Sequence, residues 1–327
     1  MCAIAISNNG TVFTRVRAIS ASLLVTALAG EASAAEAAPP PQGGAAAKAP
    51  APVPTLDILR SNLEQSYIAP FPLVVDLKGP SADLLWVEAN VAPHFLIAGN
   101  SWPVAFALTP KILVRMFGEN SAPVKTPSYM PRFTAYWLPS TEFSGRTAVY
   151  ASLTISHHSN GQAGSFFDPD GSVNHDTGDF STNYLEGAVY FARGRSRSRW
   201  WLSPSLEWHP GFNQSDELEG IYGFWRAHLA YTTLQHLIWD GKLSLRLSGI
   251  LDHVSLPGDA GAVKVLRRLP FSAKYTVRFP GIDLGAYFGA YVGPDYYNIS
   301  FDRYVSVFQV GLAGDTSPRL PVGAEDE

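Results

Sequence analysis

The feature that most constrains this chain is an alternation of apolar and polar residues with a period of two. It recurs along segments of about ten residues in a sequence with no apolar run long enough for a membrane-spanning helix. Successive side chains of a β-strand point to opposite faces, so such a segment reads as a strand with one greasy and one polar side. Phe133, Ala135 and Trp137 alternate with Arg132, Thr134 and Tyr136, and Leu202, Pro204, Leu206 and Trp208 with Ser203, Ser205 and Glu207. The same pattern sets Leu243, Leu245 and Leu247 against Lys242, Ser244 and Arg246, and Tyr275, Val277 and Phe279 against Lys274, Thr276 and Arg278. Segments of this kind, counted from Phe71 to Leu312, predict about twelve strands.

A soluble sandwich also alternates, so the architecture rests on three further details. The segments are about ten residues long where globular strands are commonly five or six. Their polar sides carry Arg, Lys, Glu or Asp on strand after strand, which suits a polar barrel interior. Aromatic residues fall near strand ends, at Trp200, Trp201, Trp208, Trp225, Tyr291 and Tyr304, as in an interfacial girdle. The expectation is an all-β fold, a transmembrane antiparallel β-barrel of about twelve strands. Arg226, Arg246, Lys274, Arg278 and Glu207 are expected to fill its interior.

The chain ends agree with export. Arg15 and Arg17 precede an apolar stretch from Ala18 to Ala29 that closes on Ala32-Ser33-Ala34, the three parts of a secretory signal, so residues 1–34 are expected to be removed. Cys2 leaves with them, and the remaining chain has neither a thiol nucleophile nor a disulfide framework. Loss of Arg15, Arg17 and Glu31 moves the formal charge from −4 to −5, which gives no indication of nucleic-acid binding. Residues 35–54 are almost wholly Ala, Pro and Gly and read as a flexible linker. Residues 55–314 form the barrel, and residues 315–327 a tail ending in Glu325-Asp326-Glu327.

Chemistry concentrates in Thr154-Ile155-Ser156-His157-His158-Ser159-Asn160-Gly161. Val149, Leu153, Ile155, His157 and Ser159 share one strand face, and their apolar members assign it to lipid. A lipid-facing imidazole and hydroxyl are costly to desolvate and ask for a functional reason. Asn183 has the same parity as Leu185, Val189 and Phe191 on the next strand, and neighbouring strands lie about 4.8 Å apart, so it is within reach of His157. Serine needs a base to remove its proton, and the base needs a third group to hold its ring. The roles follow: Ser159 nucleophile, His157 general base, Asn183 orienter. Asparagine orients without a charge that hydrocarbon would penalise. A zinc site from His157, His158, His175 and Asp176 is disfavoured, because His157 and His158 point to opposite faces.

His-x-Ser-Asn-Gly at the end of a barrel strand, with an Asn opening the next, resembles the outer-membrane phospholipase A family through His157, Ser159, Asn160, Gly161 and Asn183. Ser121-Ala122-Pro123 to Tyr129-Met130-Pro131, Trp201 to Trp208, and Tyr296-Tyr297-Asn298 through Val310-Gly311-Leu312 are similar to the family's sequence in the same order. The resemblance implies a bacterial outer-membrane enzyme that hydrolyses phospholipid acyl esters from a lipid-facing site near the outer surface. It also implies calcium as cofactor, a homodimer as the active form, and the Gly161 backbone N–H as an oxyanion donor. The sequence departs from the family where Gln162 follows Gly161 in place of arginine, and where Asp179-Phe180-Ser181-Thr182-Asn183-Tyr184 replaces a Ser-Arg-Ser-Trp-Asn-Arg run. Asp179 then stands where the family has a ligating serine and is the candidate calcium ligand, with Asp168 and Asp170 of the lengthened loop as lesser candidates. Two alternatives remain open: a catalytically silent barrel acting as a narrow pore or structural protein, and a deacylase of lipid A.

Overall fold

The computed structural model describes residues 53–77, 82–98, 103–118, 124–139, 142–143, 147–195, 198–212, 214–236, 240–256, 264–265 and 267–319. The expected signal peptide, all of the linker but Val53 and Pro54, and the end of the tail lie outside them. Within them the chain is a closed antiparallel barrel of 12 strands. In chain order these are β1 (Tyr67–Pro70 and Leu73–Asp76), β2 (Ala82–Val91 and Phe95–Ala98), β3 (Val104–Phe117), β4 (Ser128–Trp137), β5 (Ala148–Ser159) and β6 (Ser181–Arg195). They continue as β7 (Ser198–Trp208), β8 (Trp225–His236), β9 (Asp240–Ile250), β10 (Phe271–Arg278), β11 (Leu284–Pro294) and β12 (Tyr304–Gly314). Each strand pairs with its sequence neighbour, and β12 closes on both halves of β1 through Leu312 to Ile68 and Val307 to Val74. At this seam Gly311 lies so close to the Ile68 carbonyl that a side chain there would displace the backbone of β1. β1 is broken at Phe71, whose φ is +50°.

Alternation becomes two walls. Along β5, Ser152, Thr154, Ser156 and His158 are buried toward the interior, while Val149, Leu153 and Ile155 are about half exposed, at 46%, 53% and 52%. The outer faces of neighbouring strands repeat this with Leu108, Phe133, Val189 and Phe191. No helix among the described residues is long and apolar enough to cross a membrane, and the strands themselves supply the apolar outer wall.

The interior is filled. The short helix α1 (Thr55–Asn62) buries Ile58 and Leu59 against Ala105, Leu138, Tyr150, Ala192, Trp201 and Leu234, at one end of the barrel. Residues 63–66 then enter the lumen. Glu64 forms ion pairs with Lys111 of β3 and Arg132 of β4, with Lys274 of β10 on the facing wall 3.8 Å away. Lys242 donates to the Leu63 carbonyl and Asn90 to that of Gln65. At the opposite end Phe166, Phe180, Leu218, Tyr222, Ile299 and Phe301 form a second apolar cluster made by the loops. Between the two lies a cavity of about 540 Å³ lined in part by Arg226, Arg246, Lys274 and Glu207, as expected of interior-filling side chains.

The aromatic assignment needs correction. Trp208 and Trp225 stack on the outer wall with ring centroids 5.6 Å apart, as a girdle requires. Trp201 instead is 1% exposed and packs on α1, Tyr304 is 3% exposed, and Tyr291 bonds the Pro294 carbonyl and abuts Tyr296. Trp201 has the parity of Ser203 and Ser205 and so faces inward, where α1 gives it an apolar seat. The start of the tail is also bound: Asp315, buried, meets Arg278 at 3.0 Å.

Candidate active site on the outer wall

His157 and Asn183 are direct cross-strand partners on β5 and β6, and Ser159 is paired with Ser181 on one side and Tyr129 of β4 on the other. The antiparallel register therefore puts His157, Ser159 and Asn183 on one patch, two residues along the strand and one strand across. His157 Nδ1 lies 2.9 Å from Asn183 Oδ1.

The protonation state at this contact follows from a second hydrogen bond. Asn183 Nδ2 donates to the Phe212 carbonyl at 2.8 Å, in the loop between β7 and β8. A carbonyl only accepts, so the amide nitrogen must face Phe212 and the amide oxygen must face His157. That oxygen in turn only accepts, so His157 carries its proton on Nδ1. A neutral imidazole so held has its lone pair on Nε2, the form in which it can take a proton from serine. Among the described residues the Ser159 hydroxyl makes no hydrogen bond, to His157 or to any other group.

Gly161 follows the strand in a turn with φ +70°, and its amide N–H makes no hydrogen bond among the described residues. The turn is built by Asn160, which is 2% exposed. Its Oδ1 accepts from the N–H groups of Phe180 and Gln162, and its Nδ2 donates to the Gly178 carbonyl. One buried side chain thus ties the end of β5 to the base of the lengthened loop.

Beside the patch lies an apolar recess of about 290 Å³ lined by Leu108, Phe133, Ile155, His157, Asn183, Leu185, Pro210 and Phe212, among others. It opens on the outer wall of the barrel and brings hydrocarbon-like surface up to the imidazole.

The acidic candidates sit apart from one another. Asp179 is half-buried and accepts from Ser215 Oγ at 3.4 Å. Asp168 and Asp170 close a turn of their own: Gly171 N–H donates to the Asp168 carbonyl, and Asp170 Oδ1 accepts from the N–H and hydroxyl of Ser172. Those two bonds hold the Asp170 carboxyl below its ordinary range. Among the described residues no group of three His, Cys, Asp or Glu side chains is placed to hold a metal ion. Calcium takes six to eight oxygens. One chain offers Asp179 beside Ser215, and these do not make a calcium site by themselves.

Phe212, Pro210 and Ser215 had no place among the sequence candidates. A backbone carbonyl has no residue signature, and their proximity depends on how the loop folds back over β6.

The closed 12-strand antiparallel barrel is similar in fold to outer-membrane phospholipase barrels. The structure superimposes on outer membrane phospholipase A from Escherichia coli with a TM-score of 0.55 at 14% identity, covering 80% of this chain and 98% of that one. It also matches the Salmonella typhi outer membrane phospholipase, a dimer with bound calcium, at a TM-score of 0.53 and 12% identity, over 77% and 90% of the two chains. No protein-family model matches the sequence, and no curated protein matches it either. At these identities the likeness shows a shared fold.

Proposed function

We propose that this chain is an acyl-ester hydrolase of the phospholipase A type, working from the lipid-facing wall of an outer-membrane barrel with Ser159 as nucleophile. The observation that carries the proposal is the Nδ1–H donation of His157 to an Asn183 amide whose orientation is set independently by Phe212. It leaves Nε2 basic on a ring two residues from a serine of the same face. The barrel fold shared with the phospholipases supports the same reading.

In the proposed reaction, His157 Nε2 takes the proton of Ser159 Oγ as that oxygen attacks the ester carbonyl carbon. The oxyanion of the tetrahedral intermediate accepts the Gly161 N–H. The intermediate collapses to an acyl-serine, and the departing lysophospholipid oxygen takes the proton back from His157. Water then attacks the acyl-serine, His157 accepts and returns its proton, and a free fatty acid leaves. Asn183 keeps the ring oriented by a neutral hydrogen bond. The apolar recess would receive the acyl chain, so the substrate need not leave the bilayer.

Calcium and the homodimer belong to the proposal through the likeness to the calcium-bound dimer. Among the described residues of one chain, none complete a calcium site. Asp179 is its candidate ligand, and a second chain or backbone carbonyls would have to supply further oxygens.

The narrow-pore alternative has the interior against it. The lumen is crossed by Glu64 with its cations and bounded by apolar clusters at both ends. The lipid A deacylase alternative would use the same three residues, and analysis of products from phospholipid and from lipid A separates the two.

A serine-reactive fluorophosphonate tests the hydrolase. In detergent with calcium, the folded protein should be labelled at Ser159 by peptide mass; a correctly folded barrel that stays unlabelled would sink the proposal. Asn183→Ala should lower kcat by about 10- to 100-fold with a smaller change in KM, since it loosens the base without removing it. Steady-state assay on mixed micelles measures this, and an unchanged kcat would remove Asn183 from the machinery.

A further inference from the structure

The strand register sets the backbone of Asn183 opposite His157. The direction of its side-chain amide, on which the His157 tautomer depends, is decided by the loop between β7 and β8. Its Phe212 carbonyl accepts from Asn183 Nδ2 at 2.8 Å. The loop is bolted to the start of β6 by a reciprocal pair at Ser215: the Ser215 N–H donates to the Ser181 carbonyl at 2.9 Å, and the Ser181 N–H donates to Ser215 Oγ at 3.0 Å. Ser215 Oγ also donates to Asp179 Oδ2 at 3.4 Å, and Ser215 is 6% exposed. Farther along, Leu218, fully buried, anchors the same loop in the apolar cap.

We infer that Ser215 is a positioning residue for the proposed hydrolysis: by welding the loop to residues 179 and 181, it holds the Phe212 carbonyl against Asn183 and thereby keeps His157 protonated on Nδ1. The inference rests on the proposed function for its consequence in catalysis, but not for its consequence in the tautomer. The side chain of Ser215 touches none of the three reacting groups. Its hydroxyl acts at both ends of a short bridge, as acceptor from the strand and donor to Asp179, and alanine removes both bonds while leaving the loop's chain length and apolar anchor intact. With only the Ser215 N–H bond to the Ser181 carbonyl left, the loop is loosened and the Phe212 carbonyl can draw away from Asn183 Nδ2. The amide then turns freely, and with Nδ2 toward the ring it would meet Nδ1 as a donor and select the Nε2–H tautomer, which cannot accept the serine proton. A local shift of this kind is enough to cost one to two orders of magnitude in rate.

The test uses the full chain, folded in detergent, as wild type, Ser215→Ala and Ser215→Thr. Nitrogen-15 NMR of labelled histidine, with His157→Gln to assign the signal, reads the tautomer. Fluorophosphonate labelling of Ser159 and steady-state assay read the reaction. Wild type should show His157 protonated on Nδ1. Ser215→Ala should show a mixture of tautomers, labelling about tenfold slower, and a lower kcat with KM retained. Ser215→Thr, which keeps the hydroxyl, should restore all three. An Ala variant with the wild-type His157 signal overturns the inference, and so does a rate loss that threonine does not restore. If wild-type Ser159 never reacts but the His157 signal still changes in Ser215→Ala and recovers in Ser215→Thr, the positioning role stands and the hydrolase reading falls.

Discussion

The Ser159→Ala barrel should fold and insert as the wild type does while losing about 10⁴-fold or more of the proposed phospholipid hydrolysis. Both halves of that result follow from where the side chain sits. Ser159 is half-buried on the outer wall, and its hydroxyl makes no hydrogen bond among the described residues, so alanine keeps the Cβ packing and strands no partner. Its effect on stability should lie within about 0.5 kcal/mol, the range usual for a surface change without a network. Chemistry is a different matter: without Oγ there is no acyl-serine, and the remaining oxyanion donor and apolar recess can supply only the residual catalysis of a binding site. The measurement is fatty-acid release from mixed micelles, with heat-modifiable migration on electrophoresis as the control for folding. Hydrolysis surviving within tenfold in a folded Ser159→Ala barrel would place the reaction elsewhere on the molecule.

Arg115→Met should lower the free energy of unfolding by about 3–5 kcal/mol. Arg115 of β3 is 3% exposed; its Nε donates to Glu88 of β2 at 2.7 Å and its Nη1 to Asp295 beyond β11 at 2.8 and 2.9 Å. The guanidinium also lies over the rings of Tyr296 and Tyr297, 4.8 and 4.7 Å from their centroids. Methionine fills much the same volume, so the packing loss is small. What it leaves behind is two carboxylates, each fully buried, with the shared cation gone. The penalty is one of stranded charge, and it should therefore be largely relieved by adding Glu88→Gln and Asp295→Asn, which make the cluster neutral. Denaturant unfolding in lipid vesicles, followed by tryptophan fluorescence, checks both parts. A loss below about 1 kcal/mol for the single variant, or no recovery in the triple, would show that the arginine is not the keystone of this network.

The two variants act on opposite faces of the barrel wall, Ser159 on the outer face of β5 and Arg115 on the inner face of β3, and the division between those faces is the most local information in the chain. Strand parity repeats every two residues whatever the surrounding fold does. For that reason, the outward placement of Leu153, Ile155, His157 and Ser159, the inward placement of Ser156 and His158, and the filling of the lumen by Glu207, Arg226 and Arg246 were all legible from the amino-acid order. The count of about twelve strands was legible too, because turns interrupt the alternation at regular intervals. Trp201 shows that the rule should be followed even where composition suggests otherwise: its parity is inward, and inward is where it lies, although its type suggests an interfacial girdle.

Other features lie beyond the reach of a local pattern. Parity puts Asn183 and His157 on the same wall, but only the β5–β6 register, which pairs residue 157 with 183 and 159 with 181, makes them partners. Slipping that register by two would keep every side chain on its face and destroy the contact. The Phe212 carbonyl that turns the Asn183 amide is a backbone group, common to nearly every residue, and the fold of the 209–224 loop alone selects it. Residues 55–66 become a helix and an interior strut because a barrel of this size leaves a space that Glu64 and three cations from two facing walls can fill. Asp179, Asp168 and Asp170 are close in sequence, yet the loop spends Asp170 on its own turn and leaves Asp179 with Ser215. The amino-acid order by itself determined which face each strand residue occupies, since that depends on one bond's geometry repeated. The tertiary structure decided which residues meet, since hydrogen bonds between strands and loops are set by register and chain path.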